Sequence, residues 1–87
     1  MGIFMVSVFT DNPQKAIVSH RAMLLTANNE VEAKRKGLEW IKRLKPESKG
    51  WSSYEAEAGE VSKEWLLANA ENARSLSEIS GEEDRHE

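Results

Sequence analysis

Two apolar runs joined by a short polar segment open the chain. Residues 3–10, IFMVSVFT, are rich in β-branched and aromatic side chains and end at the turn formers Asp11, Asn12 and Pro13. Residues 16–26, AIVSHRAMLLT, form a second apolar run of strand length. Two such runs with a short polar connection predict an antiparallel hairpin.

After this hairpin, the hydrophobic period changes from two to about 3.6 residues, which indicates a helix. Asn29 is a favourable N-cap, and Glu32 can accept a hydrogen bond from the cap's own backbone N–H, so the two predict a capping box. Pro46 disfavours helical geometry at the residue before it, and we expect the helix to end at about Leu44. The apolar side chains form one stripe that we expect to pack on the sheet. The stripe consists of Ala33, Gly37, Trp40, Ile41 and Leu44.

The second half of the chain predicts one more strand and one more helix. Residues 51–58, WSSYEAEA, alternate as a third strand, although Ser52 followed by Glu55 also fits the start of a helix. As a strand, this segment places Tyr54, Ala56 and Ala58 on one side and Trp51, Ser53, Glu55 and Glu57 on the other. Residues 61–79 predict a helix that is capped by Ser62.

The order β-β-α-β-α predicts an α+β fold in which two helices pack with a small antiparallel sheet. The sequence places a single domain at residues 1–79. Residues 80–87, SGEEDRHE, are acidic and lack apolar side chains, so burial cannot offset the entropy lost on ordering them. We expect this segment to be a flexible tail.

Both faces of the hairpin are apolar. Phe4, Val6 and Val8 share one face of the first strand, and Ile3, Met5 and Phe9 share the other. In the second strand, Val18, Ala22 and Leu24 lie on one face, and Ile17, Met23 and Leu25 lie on the other. One helix covers only one face of such a sheet. The second face therefore needs another cover, for which the second helix, a second copy of the chain and a partner protein are alternatives.

The composition is that of an ordinary globular domain, with 39% hydrophobic and 31% charged residues. Its 87 residues include no cysteine, and no signal peptide or membrane span is evident, so we expect a cytoplasmic protein. Charge is unevenly distributed. Residues 1–50 carry nine basic and five acidic side chains (+4), whereas residues 51–87 carry three and ten (−7).

No motif for catalysis, cofactor binding or metal binding is present. His20 lies in the middle of the second predicted strand without a nucleophile or an acid that must be near it, and His86 lies in the tail. The carboxylates at positions 55, 57, 60 and 64 lack the spacing of a calcium loop. We therefore expect a protein that is not an enzyme and has no cofactor.

Two candidate interaction sites remain. The first is an acidic docking surface for a protein partner, with two aromatic residues of the types enriched at interface hot spots. It consists of Glu55, Glu57, Glu60, Glu64, Trp51 and Tyr54. The alternative is a nucleic-acid contact through the first helix, formed by Arg35, Lys42, Arg43 and Lys45. The i,i+4 pairs Glu32–Lys36 and Glu39–Arg43 reduce the positive field of that helix and favour the first hypothesis.

The hairpin, the segment TANNEVEAKRKGLEW and the short strand after it resemble the small phage-encoded β-β-α-β inhibitors of bacterial RNA polymerase. The resemblance covers residues 3–58 and depends on an alanine and a cap before the helix, Glu32 and Ala33 in its first turn, and Trp40 near its end. The second helix and the tail depart from that pattern. The resemblance implies a short noncatalytic inhibitor or adaptor that occupies a surface of a larger protein.

Overall fold

The computed structural model describes residues 1–70 and shows a small α+β fold. The strands are β1 (Gly2–Asn12), β2 (Ile17–Ala27) and β3 (Ser52–Glu60), and the helices are α1 (Glu30–Leu44) and α2 (Lys63–Ala68). A short 3₁₀ turn, Glu47–Lys49, precedes β3. The strands form one antiparallel sheet in the order β2-β1-β3, so β1 is central and the other two strands are edges.

The predicted element order is confirmed, including the third strand. Helix α2 begins after Ser62, whose hydroxyl oxygen accepts a 3.0 Å hydrogen bond from the backbone N–H of Trp65, as expected of an N-cap. It ends at Ala68, with Asn69 as its C-cap, so the prediction of one continuous helix over residues 61–79 is wrong at Asn69, whose backbone is not helical. The rest of the predicted helix, residues 71–79, and the acidic tail at residues 80–87 lie outside the described residues.

The hairpin register confirms the predicted division of side chains between the two faces. Val6 lies opposite Met23, and both are buried beneath α1. Met5 lies opposite Leu24, and these two side chains share the other face of the sheet. The turn between the strands is closed by Ala16, which has a φ of 54° in the left-handed region.

The N-terminus of α1 confirms Asn29 as the cap but differs in one hydrogen bond. The side-chain oxygen of Asn29 accepts a 2.8 Å bond from the N–H of Glu32. The Glu32 carboxylate accepts from the backbone N–H of Asn28, at 3.1 Å, rather than from the cap itself as predicted. This bond, together with the ammonium of Lys36, holds the pKa of Glu32 below its ordinary value.

The core lies between α1 and the central strand. Ala33, Gly37 and Ile41 are buried on α1, and the other two residues of the predicted stripe, Trp40 and Leu44, are partly buried. The helix backbone comes so close to β1 that a Cβ atom on Gly37 would lie 2.6 Å from Cγ1 of Val6. Glycine at this position lets the helix and the sheet approach more closely than a side chain would permit.

A β-bulge changes the faces at the start of β3. The register with β1 shifts between Phe9 and Asp11, and Ser53 takes a positive φ of 58°. An extra residue in a strand reverses the alternation of the side chains that precede it. Trp51 is therefore buried at 8% exposure, and the prediction that it shares a face with Glu55 is wrong.

Asn12 connects the hairpin turn to the loop that follows α1. Its side chain is fully buried, donates a 3.0 Å hydrogen bond to the carbonyl of Lys49 and accepts a 3.3 Å bond from the N–H of Lys15. Gly50 lies against the same amide with a φ of 98°, which favours glycine. The sequence indicated Asn12 only as a turn former, whereas the structure makes it a buried tie between two loops.

We expect Gly37→Ala to destabilise the protein by about 1 kcal/mol. The added methyl group overlaps Val6, a stiff β-branched side chain with no exposed surface, and overpacking of this kind costs about 1–3 kcal/mol. The gain in helix propensity offsets about 1 kcal/mol of that cost. Urea denaturation followed by tryptophan fluorescence measures the change. In a Val6→Ala background, the same substitution should become stabilising, and an equal effect in both backgrounds would contradict the close approach.

We expect Asn12→Ala to lower the free energy of unfolding by about 1–3 kcal/mol, because the carbonyl of Lys49 loses its hydrogen bond to the buried Asn12 side chain, whereas the N–H of Lys15 keeps its bond to the Asn12 backbone carbonyl. Denaturant titration provides the measurement. Gln14→Ala removes an exposed amide from the same turn and is the matched control, with an expected change within about 0.5 kcal/mol. Equal effects of the two substitutions would show that Asn12 does not tie the loops together.

Candidate interaction surfaces

The sheet face opposite α1 carries an apolar surface, which we call the open face. It comprises Ile3, Met5 and Phe9 of β1, Ala22 and Leu24 of β2, and Glu55 and Glu57 of β3. Helix α1 packs on the other face, against all three strands. Within residues 1–70, α2 reaches the open face at one corner, where Trp65 lines a groove with Met5 and Gly59.

Phe9 and His20 form a stacked pair on the open face. Their ring centroids are 4.3 Å apart, and the rings are inclined by only 6°. The imidazole therefore extends the apolar surface of β1 across to the edge strand β2. In the described part of the chain, no group of three histidine, cysteine, aspartate or glutamate residues could hold a metal ion.

The structure brings two of the four candidate acidic residues onto the open face. Glu55 lies opposite Phe9 and Glu57 opposite Ser7, so both carboxylates border the apolar residues. Glu60 lies at the far end of β3, where its carboxylate is close to Gly2, and Glu64 lies in the first turn of α2. The four residues thus do not form one cluster.

The two candidate aromatic residues lie on the helix side of the sheet and have structural roles. The hydroxyl of Tyr54 donates a 2.5 Å hydrogen bond to the carbonyl of Lys45, the residue that caps the C-terminus of α1. The Lys45 ammonium lies 4.8 Å from the ring centre of Trp51, a cation–π contact. Both aromatic rings thus fix the end of α1, and neither reaches the open face.

The basic residues proposed for a nucleic-acid contact are in different surroundings. The Nη1 atom of Arg35 lies 2.6 Å from the Oε1 atom of Glu39. Glu39 therefore pairs with Arg35, and the prediction that it pairs with Arg43 is wrong. Lys42 lies 5.2 Å from the ring centre of Tyr54, and Lys45 is buried at 5% exposure. The predicted pair of Glu32 with Lys36 is confirmed at 3.5 Å.

A basic groove between β2 and the second half of α1 was missed at the sequence level. It consists of two consecutive depressions along β2, with volumes of about 560 and 660 Å³. Among residues 1–70, the charged side chains that line the first one are all basic, and they include those of Lys15 and Lys49 in the two loops tied by Asn12. These residues are distant along the chain, so no local pattern indicated that they would meet.

No protein-family model matches the chain, and neither curated proteins nor solved structures give a significant match. None of the helices in residues 1–70 has the length and apolar character that a membrane crossing requires. Within residues 1–70, the fold and its surfaces define a small α+β protein with an apolar sheet face and a basic groove.

We expect the phenol of Tyr54 to ionise above its ordinary pKa of about 10, because burial, and to a lesser extent the nearby Glu47 carboxylate, raises its pKa. Since the chain has one tyrosine, tyrosinate absorbance reports this group directly. The folded state favours the neutral phenol, so its contribution to stability is complete below pH of about 10 and is lost as the pH rises through the raised pKa. The urea-unfolded chain is the control and should titrate at the ordinary value; identical titrations in both states would contradict the raised pKa that burial gives the Tyr54 phenol.

Proposed function

We propose that this chain is a noncatalytic protein-interaction module, an inhibitor or adaptor that docks on a larger protein through its open face. The observation that carries the proposal is the apolar open face bordered by Glu55 and Glu57. The resemblance to small docking inhibitors of bacterial RNA polymerase is consistent with this class of function.

The chemistry of the open face supports a docking role. Met5, Phe9 and Leu24 remain only partly buried, while the equivalent positions beneath α1 are closed by the helix. A contiguous apolar surface is costly to leave in water and typically marks an interaction site. The stacked rings of Phe9 and His20 give the surface a rigid, flat centre.

Charge indicates what kind of partner fits. Along the described strands, the side chains on this face include no lysine or arginine, whereas Glu55 and Glu57 border it. A second copy docked face to face would bring carboxylates of one sign into one interface without basic partners, which is unfavourable. The occupant that fits is a different protein with an apolar ridge flanked by lysine or arginine side chains.

We expect Leu24→Gln and Glu57→Lys each to weaken capture of the partner at least tenfold, because they remove apolar contact area and a complementary charge, respectively. The measurement is quantitative affinity capture from a lysate with the tagged full chain, followed by binding assays with the protein that is recovered. Circular dichroism confirms that each variant is folded.

Two matched substitutions lie away from the open face. Val31→Gln alters an apolar side chain that is 78% exposed on α1, and Glu47→Lys reverses an exposed charge in the 3₁₀ turn. Both should retain capture. A partner that binds the open-face variants as tightly as these controls would refute the docking role of the open face, as would recovery of no partner by the unmodified chain.

A further inference from the structure

Within residues 1–70, the outer edge of β2 presents backbone groups without a hydrogen-bond partner in a regular row. The N–H of Val61 donates a 2.8 Å bond to the carbonyl of Ile3, so the odd-numbered residues of β1 bond towards β3. Hydrogen bonding alternates along an antiparallel pair, so the even-numbered residues of β1 bond towards the odd-numbered residues of β2. The even-numbered residues of β2 therefore direct their N–H and C=O groups away from the sheet. They are Val18, His20, Ala22, Leu24 and Thr26.

One contact confirms this direction independently. The ammonium of Lys36 on α1 donates a 2.8 Å hydrogen bond to the backbone carbonyl of Thr26. This carbonyl can be reached from α1 only if it points outward from the edge of β2. The bond also closes one end of the row, and within residues 1–70 no other group bonds to the edge from Val18 to Leu24.

The two edges of the sheet differ in how they discourage strand addition. β3 carries Glu55, Glu57 and Glu60, and charged side chains of this kind are a common protection of sheet edges. β2 contains no proline and no acidic residue, and it is eleven residues long. The β2 edge is therefore the one suited to pair with another strand.

The basic groove lies directly beside this edge. A strand added to β2 would place alternate side chains on the α1 side, in the depressions between β2 and α1. Arg43 lines one depression, and Lys15 and Lys49 line the other. Of the described residues, Glu39 is the one acidic residue that lines the groove, and Arg35 already neutralises it.

The basic side chains of the groove also indicate whether the strand that pairs with β2 comes from a second copy of this chain or from another protein. Two β2 strands paired antiparallel over their full length would be centred on Ala22 and would bring their α1 helices to the same side of the sheet. The basic grooves of both copies would then face each other, at a repulsive cost. An acidic segment would instead find opposite charge along the whole groove.

We infer that the β2 edge binds an extended acidic peptide segment of a partner protein, added antiparallel as a fourth strand. The peptide backbone completes the row of hydrogen bonds along β2, and its acidic side chains lie in the basic groove beneath α1. The intervening side chains extend the open face. This site is separate from docking at Glu55 and Glu57, and each can exist without the other.

The probe is a fluorescein-labelled peptide of about eight alternating valine and glutamate residues, titrated with the full chain and followed by fluorescence anisotropy. In antiparallel addition with glutamates towards α1, the valine N–H groups bond to β2 and the glutamate N–H groups point away. N-methylation of the valines should therefore weaken binding at least tenfold, whereas N-methylation of the glutamates should leave it within about twofold.

Charge variants test the groove. Arg43→Glu combined with Lys49→Glu should weaken binding at least tenfold, and added salt should weaken it further. The matched control, Lys34→Glu combined with Lys63→Glu, changes the net charge equally but lies outside the groove and should bind as the unmodified chain does. Glu57→Lys should also leave peptide binding unchanged, so failure of this site and failure of open-face docking are distinguishable.

Amide hydrogen exchange locates the peptide. The amides of His20, Ala22 and Leu24 should exchange fast in the free chain and slow down when the peptide binds. Those of Met23 and Leu25, which bond to β1, should be protected in both states and serve as internal controls.

Four results would overturn the inference. The first two are no binding of the valine–glutamate peptide, and binding of the valine-N-methylated peptide as tight as that of the unmethylated one. The other two are tighter binding of a single-stranded oligonucleotide than of the peptide, and protection of the β2 edge amides in the free chain. In the last case, light scattering would show whether a second copy or the chain's own remaining segment occupies the edge.

Discussion

The close packing of α1 on the central strand is the contact on which the rest of this structure depends. Gly37 lets the helix backbone reach Val6, and Ala33 and Ile41 continue the contact along the buried seam. Because α1 lies this near to the sheet, one helix buries the inner face of all three strands. A small domain has few such contacts, so each one carries a large share of the stability.

The position of α1 also creates the two surfaces to which we assign binding. It covers one face of the sheet and not the opposite face, on which Met5, Phe9 and Leu24 are only partly buried. Its second half runs beside the edge of β2, and this arrangement forms the basic groove. The open face combines apolar and acidic groups, and the groove combines basic groups with an edge of β2 that has no strand partner within residues 1–70. The two surfaces therefore suit partners of different chemistry.

Local signals explain which predictions agree with the structure. Asn29 and Pro46 placed the ends of α1 correctly because capping and proline geometry act within a few residues. The alternation in β1 and β2 gave the correct faces, since the side-chain period of a strand follows from its backbone. Trp51 was placed wrongly, because the bulge at Ser53 depends on how β3 pairs with β1 and not on the order of polar and apolar residues.

The sequence by itself determined the element order, the helix ends and the presence of two apolar strand faces, because propensity, capping and periodicity are properties of neighbouring residues. Only the tertiary structure decided which face α1 covers, which acidic residues join the open face, and that Lys15, Lys49 and Arg43 border one groove. These features join residues that are far apart along the chain. Their proximity follows from strand order and helix packing, which no short stretch of sequence encodes.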